Sequence, residues 1–377
     1  MTLLIAGGGT GGHLYPGIAV ARELLRRMPD ARVSFVGTAR GLEARVVPRE
    51  GFELDLIRSA GLKGKSLIAR ARGAALVPVG FAEAWRIIAR RRPDVVMGVG
   101  GFSSGPVVMS AAMRRVPTMV LEQNAMPGLT NRLLAPWVRA AAVTYEQTLS
   151  FFGQRGFVSG NPVREAFFRP PSPAGFGGPS PRGFGGPAPA GTSGRLLVVG
   201  GSQGAHAINV AMTAAAARIF QRQPALSLVH QTGPRDLAMV RQQYERAGIR
   251  ARAEAFFDEM ADEMAAADLV ISRAGATTLA ELAAAGRPAL LVPFPAATDD
   301  HQRRNADVLV RAGAAAMIEE RHLSADRLAE TAAELLADPE RRDRMSAAMR
   351  TFARPDAASR IVDRLIELAR RPGRHAA

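Results

Sequence analysis

Residues 3–27 pack three structural signals into one short stretch. Leu3-Leu4-Ile5-Ala6 is an apolar run that reads as a buried strand. Gly7-Gly8-Gly9-Thr10-Gly11-Gly12 follows at once and reads as a tight turn, in which backbone N–H groups can approach a ligand closely. Pro16 to Arg27 then reads as a helix with proline in its opening turn. A strand, a glycine turn and a helix N-terminus together make an anion site. His13 is the one titratable side chain of the loop. A proton acceptor is therefore expected beside a phosphate site.

The glycine spacing satisfies G-x-G-x-x-G, the dinucleotide fingerprint. That fingerprint also calls for an acidic residue at the end of the second strand. Here the second strand, Arg32 to Gly37, runs into Thr38-Ala39-Arg40, and no carboxylate stands there. Three readings of the loop stay open: a dinucleotide site, another phosphate or sugar site, and a plain tight turn.

The rest of the chain alternates short apolar runs with helix-like segments. Asp94 to Gly98, Thr118 to Leu121 and Ala140 to Val143 read as strands. So do Arg195 to Val199, Leu226 to His230, Ala253 to Phe256, Leu269 to Ile271 and Ala289 to Val292. Continuous apolar strands separated by helices imply parallel sheets. Leu196 to Val199 is itself followed by Gly200-Gly201-Ser202-Gln203-Gly204 and a helix from about Ile208. Both halves thus open on strand, glycine turn, helix, and 377 residues suit two domains. The expected fold class is α/β: two Rossmann-like, doubly wound parallel-sheet domains facing a cleft, with ligands at the carboxyl ends of the strands.

Between them, Pro170 to Gly194 contains a near-direct repeat, Gly175 to Pro179 and Gly183 to Pro187. Proline and glycine at that density sustain neither helix nor sheet. The expected division is an N-terminal domain over 1–165, a linker or loop over 166–194, and a second domain over 195–355. A C-terminal helix and tail over 356–377 are expected to pack back toward the first domain.

The formal charge is +15, and it is uneven. Residues 1–165 carry 22 Lys and Arg against 11 Asp and Glu, and residues 166–377 carry 27 against 23. A basic first half points to an anionic surface or substrate. Nucleic acid fits poorly, because aromatic residues are 6% of the chain and do not interleave with the basic ones. Cysteine is absent, which removes disulfides and thiolate metal sites. No signal peptide is visible, and no apolar run reaches the length of a membrane span.

In the second half, Ser272 to Glu281 follows a strand. Thr277 or Thr278 can cap the next helix and leave N–H groups aimed at phosphate. Glu281, inside that helix, can accept two hydrogen bonds from a ribose or, alternatively, close a capping box. Asp299-Asp300-His301-Gln302 opens a further helix, with His301, Gln302 and Asn305 near one face, suited to a sugar. Asp299, Asp300 and His301 could also ligate a metal, although adjacent carboxylates at a helix start more often act as caps.

Five motifs in register then resemble one family. They are Gly7 to His13; Glu122-Gln123-Asn124 with Gly128-Leu129-Thr130-Asn131; Gly160-Asn161-Pro162-Val163-Arg164; Gly200 to Gly204; and Ser272 to Glu281 with Asp300-His301-Gln302. Together they resemble the bacterial MurG family, the cell-wall glycosyltransferases that add N-acetylglucosamine to lipid I. The resemblance implies a GT-B fold and an inverting transfer from UDP-GlcNAc to the 4-hydroxyl of the N-acetylmuramyl sugar. It places Arg164 and Ser202 near the diphosphate, Phe257 by the uracil, and Ala276, Thr277 and Thr278 by the α-phosphate. Glu281 would take the ribose hydroxyls and Gln302 the GlcNAc hydroxyls. Thr10, Gly11, Gly12 and Asn124 would close the donor site from the first domain. The base would be His13 first and Glu122 second. The resemblance implies no cofactor and no catalytic metal. Leu121 departs from it, standing where the family usually has a polar residue. A UDP-sugar 2-epimerase and a diacylglycerol glycosyltransferase are the alternatives of the same fold.

The implied acceptor, lipid I, is membrane-bound. Residues 61–92 set Leu76, Val77, Phe81 and Trp85 among Lys63, Lys65, Arg86, Arg90 and Arg91. Pro78 predicts two short helical pieces there. An apolar face flanked by basic residues suits an anionic membrane surface. The expectation is a peripheral protein on the cytoplasmic face of the plasma (inner) membrane. Its partners would be UDP-GlcNAc, lipid I, anionic lipid and other cell-wall synthesis proteins, with no nucleic acid.

Overall fold

The computed structural model describes residues 1–39, 41–59, 67–169, 194–201 and 204–370, without the side chains of 67–75. The chain divides into two compact units, one of residues 1–163 with 354–377 and one of residues 164–353.

The first unit begins with β1 (Thr2–Gly7), α1 (Gly11–Arg27), β2 (Arg32–Gly37), α2 (Glu43–Arg49) and β3 (Glu53–Leu56). It continues through α3 (Leu67–Arg91), β4 (Val95–Gly100), α4 (Ser104–Met113), β5 (Thr118–Glu122), α5 (Leu129–Leu134), β6 (Ala140–Val143) and β7 (Gly156–Val158). The seven strands are parallel, in the order β3-β2-β1-β4-β5-β6-β7. The inner strands are buried on both faces, which is why they read as unbroken apolar runs.

The second unit runs through β8 (Gly194–Val199), α6 (His206–Arg222), β9 (Leu226–Gln231), α7 (Leu237–Arg246), β10 (Ala251–Glu254) and α8 (Met260–Ala265). Then come β11 (Leu269–Ser272), α9 (Ala276–Ala285), β12 (Ala289–Leu291), α10 (His301–Arg311), β13 (Ala315–Met317), α11 (Ala325–Ala337) and α12 (Pro339–Arg350). Its six strands are also parallel, in the order β10-β9-β8-β11-β12-β13. The doubly wound α/β architecture expected from the sequence is present in each unit.

The last helix, α13 (Ala357–Arg370), belongs to the first unit. Ile361, Val362, Leu365 and Leu368 lie on one face and are buried with Leu3, Ile5, Leu14 and Leu24. Arg27 of α1 reaches Asp363 at 2.8 Å.

Three local expectations change. The first helix starts at Gly11, not Pro16, so Gly11, Gly12 and His13 form its opening turn. Pro16 is then the sixth residue, and its missing N–H costs only one bond near the helix end. Pro78 does not divide the segment after residue 66. α3 is a single helix that carries the proline inside it. The tenth strand ends at Glu254, because Phe256 is 54% exposed and Phe257 turns away to another partner. The Gly/Pro repeat falls in residues 170–193, outside the described residues, as do Lys63, Lys65 and Ser202.

Candidate functional site

In the first unit, three loops gather at the carboxyl ends of the adjacent strands β1, β4 and β5. Thr10 caps α1 in an extended conformation and is exposed. His13, one turn further, lies against Gly100 at the end of β4. A Cβ on Gly100 would stand 2.7 Å from His13 Nδ1, so only glycine lets the ring sit there. Gln123 ties the third loop to the same place, donating from Nε2 to the Val99 carbonyl at 2.8 Å.

Glu122, the last residue of β5, is 1% exposed. One carboxylate oxygen accepts from the Asn124 N–H at 3.0 Å and from Asn124 Nδ2 at 3.2 Å. The other accepts from the Gly128 N–H at 2.9 Å and from Asn131 Nδ2 at 2.8 Å. Burial pushes its pKa above the ordinary carboxylate value, against the pull of these donors. Glu122 therefore holds the loop that presents Asn124, and both its oxygens are already engaged.

The first glycine loop also holds a carboxylate that the sequence reading missed. Glu43, at the start of α2, accepts from the Gly9 N–H at 2.7 Å. It also accepts from the Thr38 N–H at 2.8 Å and the Thr38 hydroxyl at 2.9 Å. The Gly8 N–H is directed to the Gly100 carbonyl at 3.3 Å. This carboxylate, six residues beyond the second strand, faces the protein's own loop.

In the second unit, α9 starts after β11, with Gly275 as its cap in an extended conformation. Thr277 and Thr278 lie in the first turn and neither caps the helix, contrary to the expectation. No capping box forms either, because Glu281 is the sixth helical residue and its partner is Arg164. The Arg164 Nη2 to Glu281 Oε1 distance is 4.0 Å. Burial pushes the Glu281 carboxyl up to about 7, and the Arg164 guanidinium draws it partly back. Arg164 is half exposed and stacks over Phe167, with its guanidinium 5.1 Å from the ring centroid. A carboxyl with no helix-capping role, beside a guanidinium and a helix N-terminus, has the chemistry to accept a diol next to a phosphate.

Of the three residues expected to face a sugar from α10, Gln302 is half-buried and accepts the Phe294 N–H at 3.0 Å through Oε1, leaving its NH2 group. His301 turns Nδ1 to the Thr298 carbonyl at 2.6 Å. Asn305 does not fit the expectation. It is fully buried and donates to the Ala274 carbonyl at 3.3 Å, so it fixes the turn before α9. Asp299 and Asp300 adopt left-handed backbone conformations, and Asp300 pairs with Arg303 at 2.5 Å. Among the described residues, no cluster of three or more His, Asp or Glu is placed to hold a metal ion.

Phe257 is buried, with Arg252 4.7 Å over its ring. Its N–H donates to Gln231 Oε1 at 3.0 Å. Gln231 belongs to a segment, His230-Gln231-Thr232-Gly233, of which sequence reading took only His230, as the end of a strand. Buried His230 bonds Tyr244 through Nδ1 at 2.8 Å and Asn209 Oδ1 through Nε2 at 3.0 Å. Asn209 donates to the Thr232 carbonyl at 2.9 Å and to Asp236 at 2.8 Å. The acceptor-only partners of Asn209 fix its amide, so His230 carries its proton on Nε2 and accepts from the Tyr244 hydroxyl. Burial pushes the His230 pKa down to about 3. The signal available in the sequence was a run of polar residues at a strand's carboxyl end, followed by glycine.

Two parallel α/β units with glycine turns after their first strands are the architecture of nucleotide-sugar enzymes, and the family matches make this one a glycosyltransferase. The glycosyltransferase family 28 N-terminal domain matches residues 3–143, and the family 28 C-terminal domain matches residues 195–361. The UDP-N-acetylglucosamine--N-acetylmuramyl-(pentapeptide) pyrophosphoryl-undecaprenol N-acetylglucosamine transferase of Anaeromyxobacter dehalogenans is 47% identical, over 98% of this chain and 94% of its own. The crystal structure of Acinetobacter baumannii MurG superposes with a TM-score of 0.74 at 27% identity, covering 97% of this chain and 99% of that one. The chain belongs to this family of N-acetylglucosamine transferases, the MurG family. A putative UDP-N-acetylglucosamine 2-epimerase from Listeria monocytogenes, 16% identical, matches with a TM-score of 0.67 over 96% of this chain and 94% of its own. That likeness shows the fold alone.

Proposed function

We propose that this chain moves N-acetylglucosamine from UDP-GlcNAc to the 4-hydroxyl of the N-acetylmuramyl sugar of lipid I, giving lipid II. The observation that carries the donor assignment is the Glu281 carboxyl, freed from any capping role and set beside Arg164 at the start of α9. Glu281 takes the ribose hydroxyls. The N–H groups of Ala276, Thr277 and Thr278, with Arg164 and Ser202, meet the diphosphate. The Gln302 amide donates to the GlcNAc hydroxyls, and the Phe257 segment borders the uracil. Thr10, Gly11, Gly12 and Asn124 complete the donor contacts from the first unit.

The acceptor oxygen attacks the anomeric carbon as the UDP–sugar bond breaks, so the α-linked donor yields a β-linked product. His13 takes the hydroxyl proton. Glu122 positions Asn124 and does not act as the base, because four donors already occupy its oxygens. Charge developing on UDP is met by Arg164 and the α9 N-terminus.

Near full-length identity to a transferase favours this reading over a 2-epimerase or a diacylglycerol glycosyltransferase. UDP release should require lipid I. Release without an acceptor, or conversion of UDP-GlcNAc to its 2-epimer, would support the epimerase instead.

Peripheral attachment to anionic lipid on the cytoplasmic leaflet is part of the proposal. Among the described residues, no helix is long and apolar enough to cross a membrane. Val77 and Trp85 of α3 are exposed, and Arg114 lies over the Trp85 ring at 4.7 Å. Met113, at the end of neighbouring α4, is also exposed. Part of the segment serves other ends. Ile87 and Ile88 are core, and Arg90 and Arg91 pair with Asp55 at 2.6 and 2.8 Å.

A further inference from the structure

A glycine loop before a helix is expected to receive phosphate, yet here the loop already holds an anion of the protein's own. Glu43 is 1% exposed. Its oxygens take three donors, from Gly9 and from the backbone and hydroxyl of Thr38. The space around it is made by glycines. A Cβ on Gly8, Gly37 or Gly41 would overlap the Glu43 side chain. No larger residue fits at those three positions while the carboxylate stays in place. With the Gly8 N–H directed to Gly100, neither Gly8 nor Gly9 offers a donor to a ligand.

We propose that Glu43 is a positioning residue. It fills the donor set of the first glycine loop in place of a phosphate and thereby fixes Thr10 and His13 for proton transfer. The loop does not bind the donor's phosphates. The anion that completes the loop reaches it from α2 and stabilises the protein's own turn. The proposal rests on His13 acting in transfer, as argued above, but its structural half can be tested separately.

Glu43→Gln keeps the size and turns an NH2 group toward either Gly9 or Thr38, so at least one buried donor faces another donor. Thr38→Val removes only the hydroxyl bond and is the milder test. Misplacement of a reacting group by about 1 Å can cost about 100-fold in rate. Glu43→Gln should therefore lower kcat about 10- to 100-fold, with Thr38→Val between it and the parent, while the UDP-GlcNAc KM rises by much less than kcat falls, because Thr10, Gly11 and Gly12 are only part of the donor contacts. Amide exchange, read without any substrate, should quicken at residues 7–14 and 37–39 and remain slow in β4 and β5. Unchanged exchange in the loop would overturn the proposal whatever the enzyme's activity. So would unchanged kcat in folded Glu43→Gln, or a rise in donor KM matching the loss in kcat, which would put the loop at the donor phosphates. If the parent protein transfers no sugar but the exchange pattern holds, the assigned reaction fails and the role of Glu43 in setting the loop stands.

Discussion

Replacing Glu281 with glutamine should stabilise the protein and weaken donor binding, and both effects should depend on pH. An unfolded glutamate ionises near 4.5, and burial moves Glu281 to about 7. Between those values the unfolded chain loses the proton while the folded chain keeps it, so stability falls as pH rises. The gap from 4.5 to about 7 corresponds to roughly 3 kcal/mol at pH 8 and to almost nothing at pH 4. Glutamine does not ionise and escapes that loss; the pull of Arg164, 4.0 Å away, is already contained in the value of about 7. Urea unfolding followed by circular dichroism at pH 4.5 and pH 8 should show Glu281→Gln gaining on the parent only at the higher pH. Calorimetric titration with UDP-GlcNAc should show the reverse for binding. Hydrogen bonds to a charged group contribute about 1.5–3 kcal/mol, so affinity should drop about 10- to 100-fold at pH 8. Parent affinity should climb as pH rises toward 7, while the variant's stays flat. Parallel stability profiles for the two proteins would refute the raised ionisation. A variant that loses stability at pH 8 and binds UDP-GlcNAc normally would return Glu281 to a purely structural role.

His13→Ala should lower kcat about 100-fold or more with the fold intact, and turnover near that of the parent would remove His13 as the base. Glu122→Gln places a buried NH2 group against donors of the 122–131 loop and should destabilise the first unit by about 1–3 kcal/mol. Trp85 and Trp137 both lie in that unit, so tryptophan fluorescence reads the loss directly. The protein should co-sediment with phosphatidylglycerol vesicles and dissociate at high salt, each basic residue near the surface contributing about 1 kcal/mol. Equal binding to neutral vesicles at any salt would remove the electrostatic part of that claim.

The interior of both sheets was legible in the sequence and the edges were not. β1, β2, β4, β5, β6, β8, β9, β11 and β12 are mostly apolar runs, because parallel strands covered on both faces bury the side chains of both, with polar residues such as Glu122 and His230 toward their carboxyl ends. β3, β7 and β13 were not read as strands, being short or polar, and each is an edge strand. β3 reads Glu-Leu-Asp-Leu because one side of it serves Arg90 and Arg91. β10, the remaining edge, was placed two residues late. The site divided differently. Motifs singled out Glu281, Arg164, His13 and Glu122 as candidates. They could not show that Glu122 faces four donors, that Asn305 is buried, or that Glu43 folds back onto the glycine loop. The contacts of Asn305 with Ala274 and of Glu43 with Gly9 join residues that strand order brings together, and the donors to Glu122, though near in the chain, are aimed by the shape of a loop that residue spacing does not encode.

The central claim is the transfer itself. Incubation with UDP-[14C]GlcNAc and lipid I should yield a labelled, lipid-linked disaccharide with a β linkage to the 4-hydroxyl of the N-acetylmuramyl sugar, one UDP appearing per sugar moved. Label that stays in nucleotide sugar, or passes to a diacylglycerol in preference to lipid I, would contradict the account.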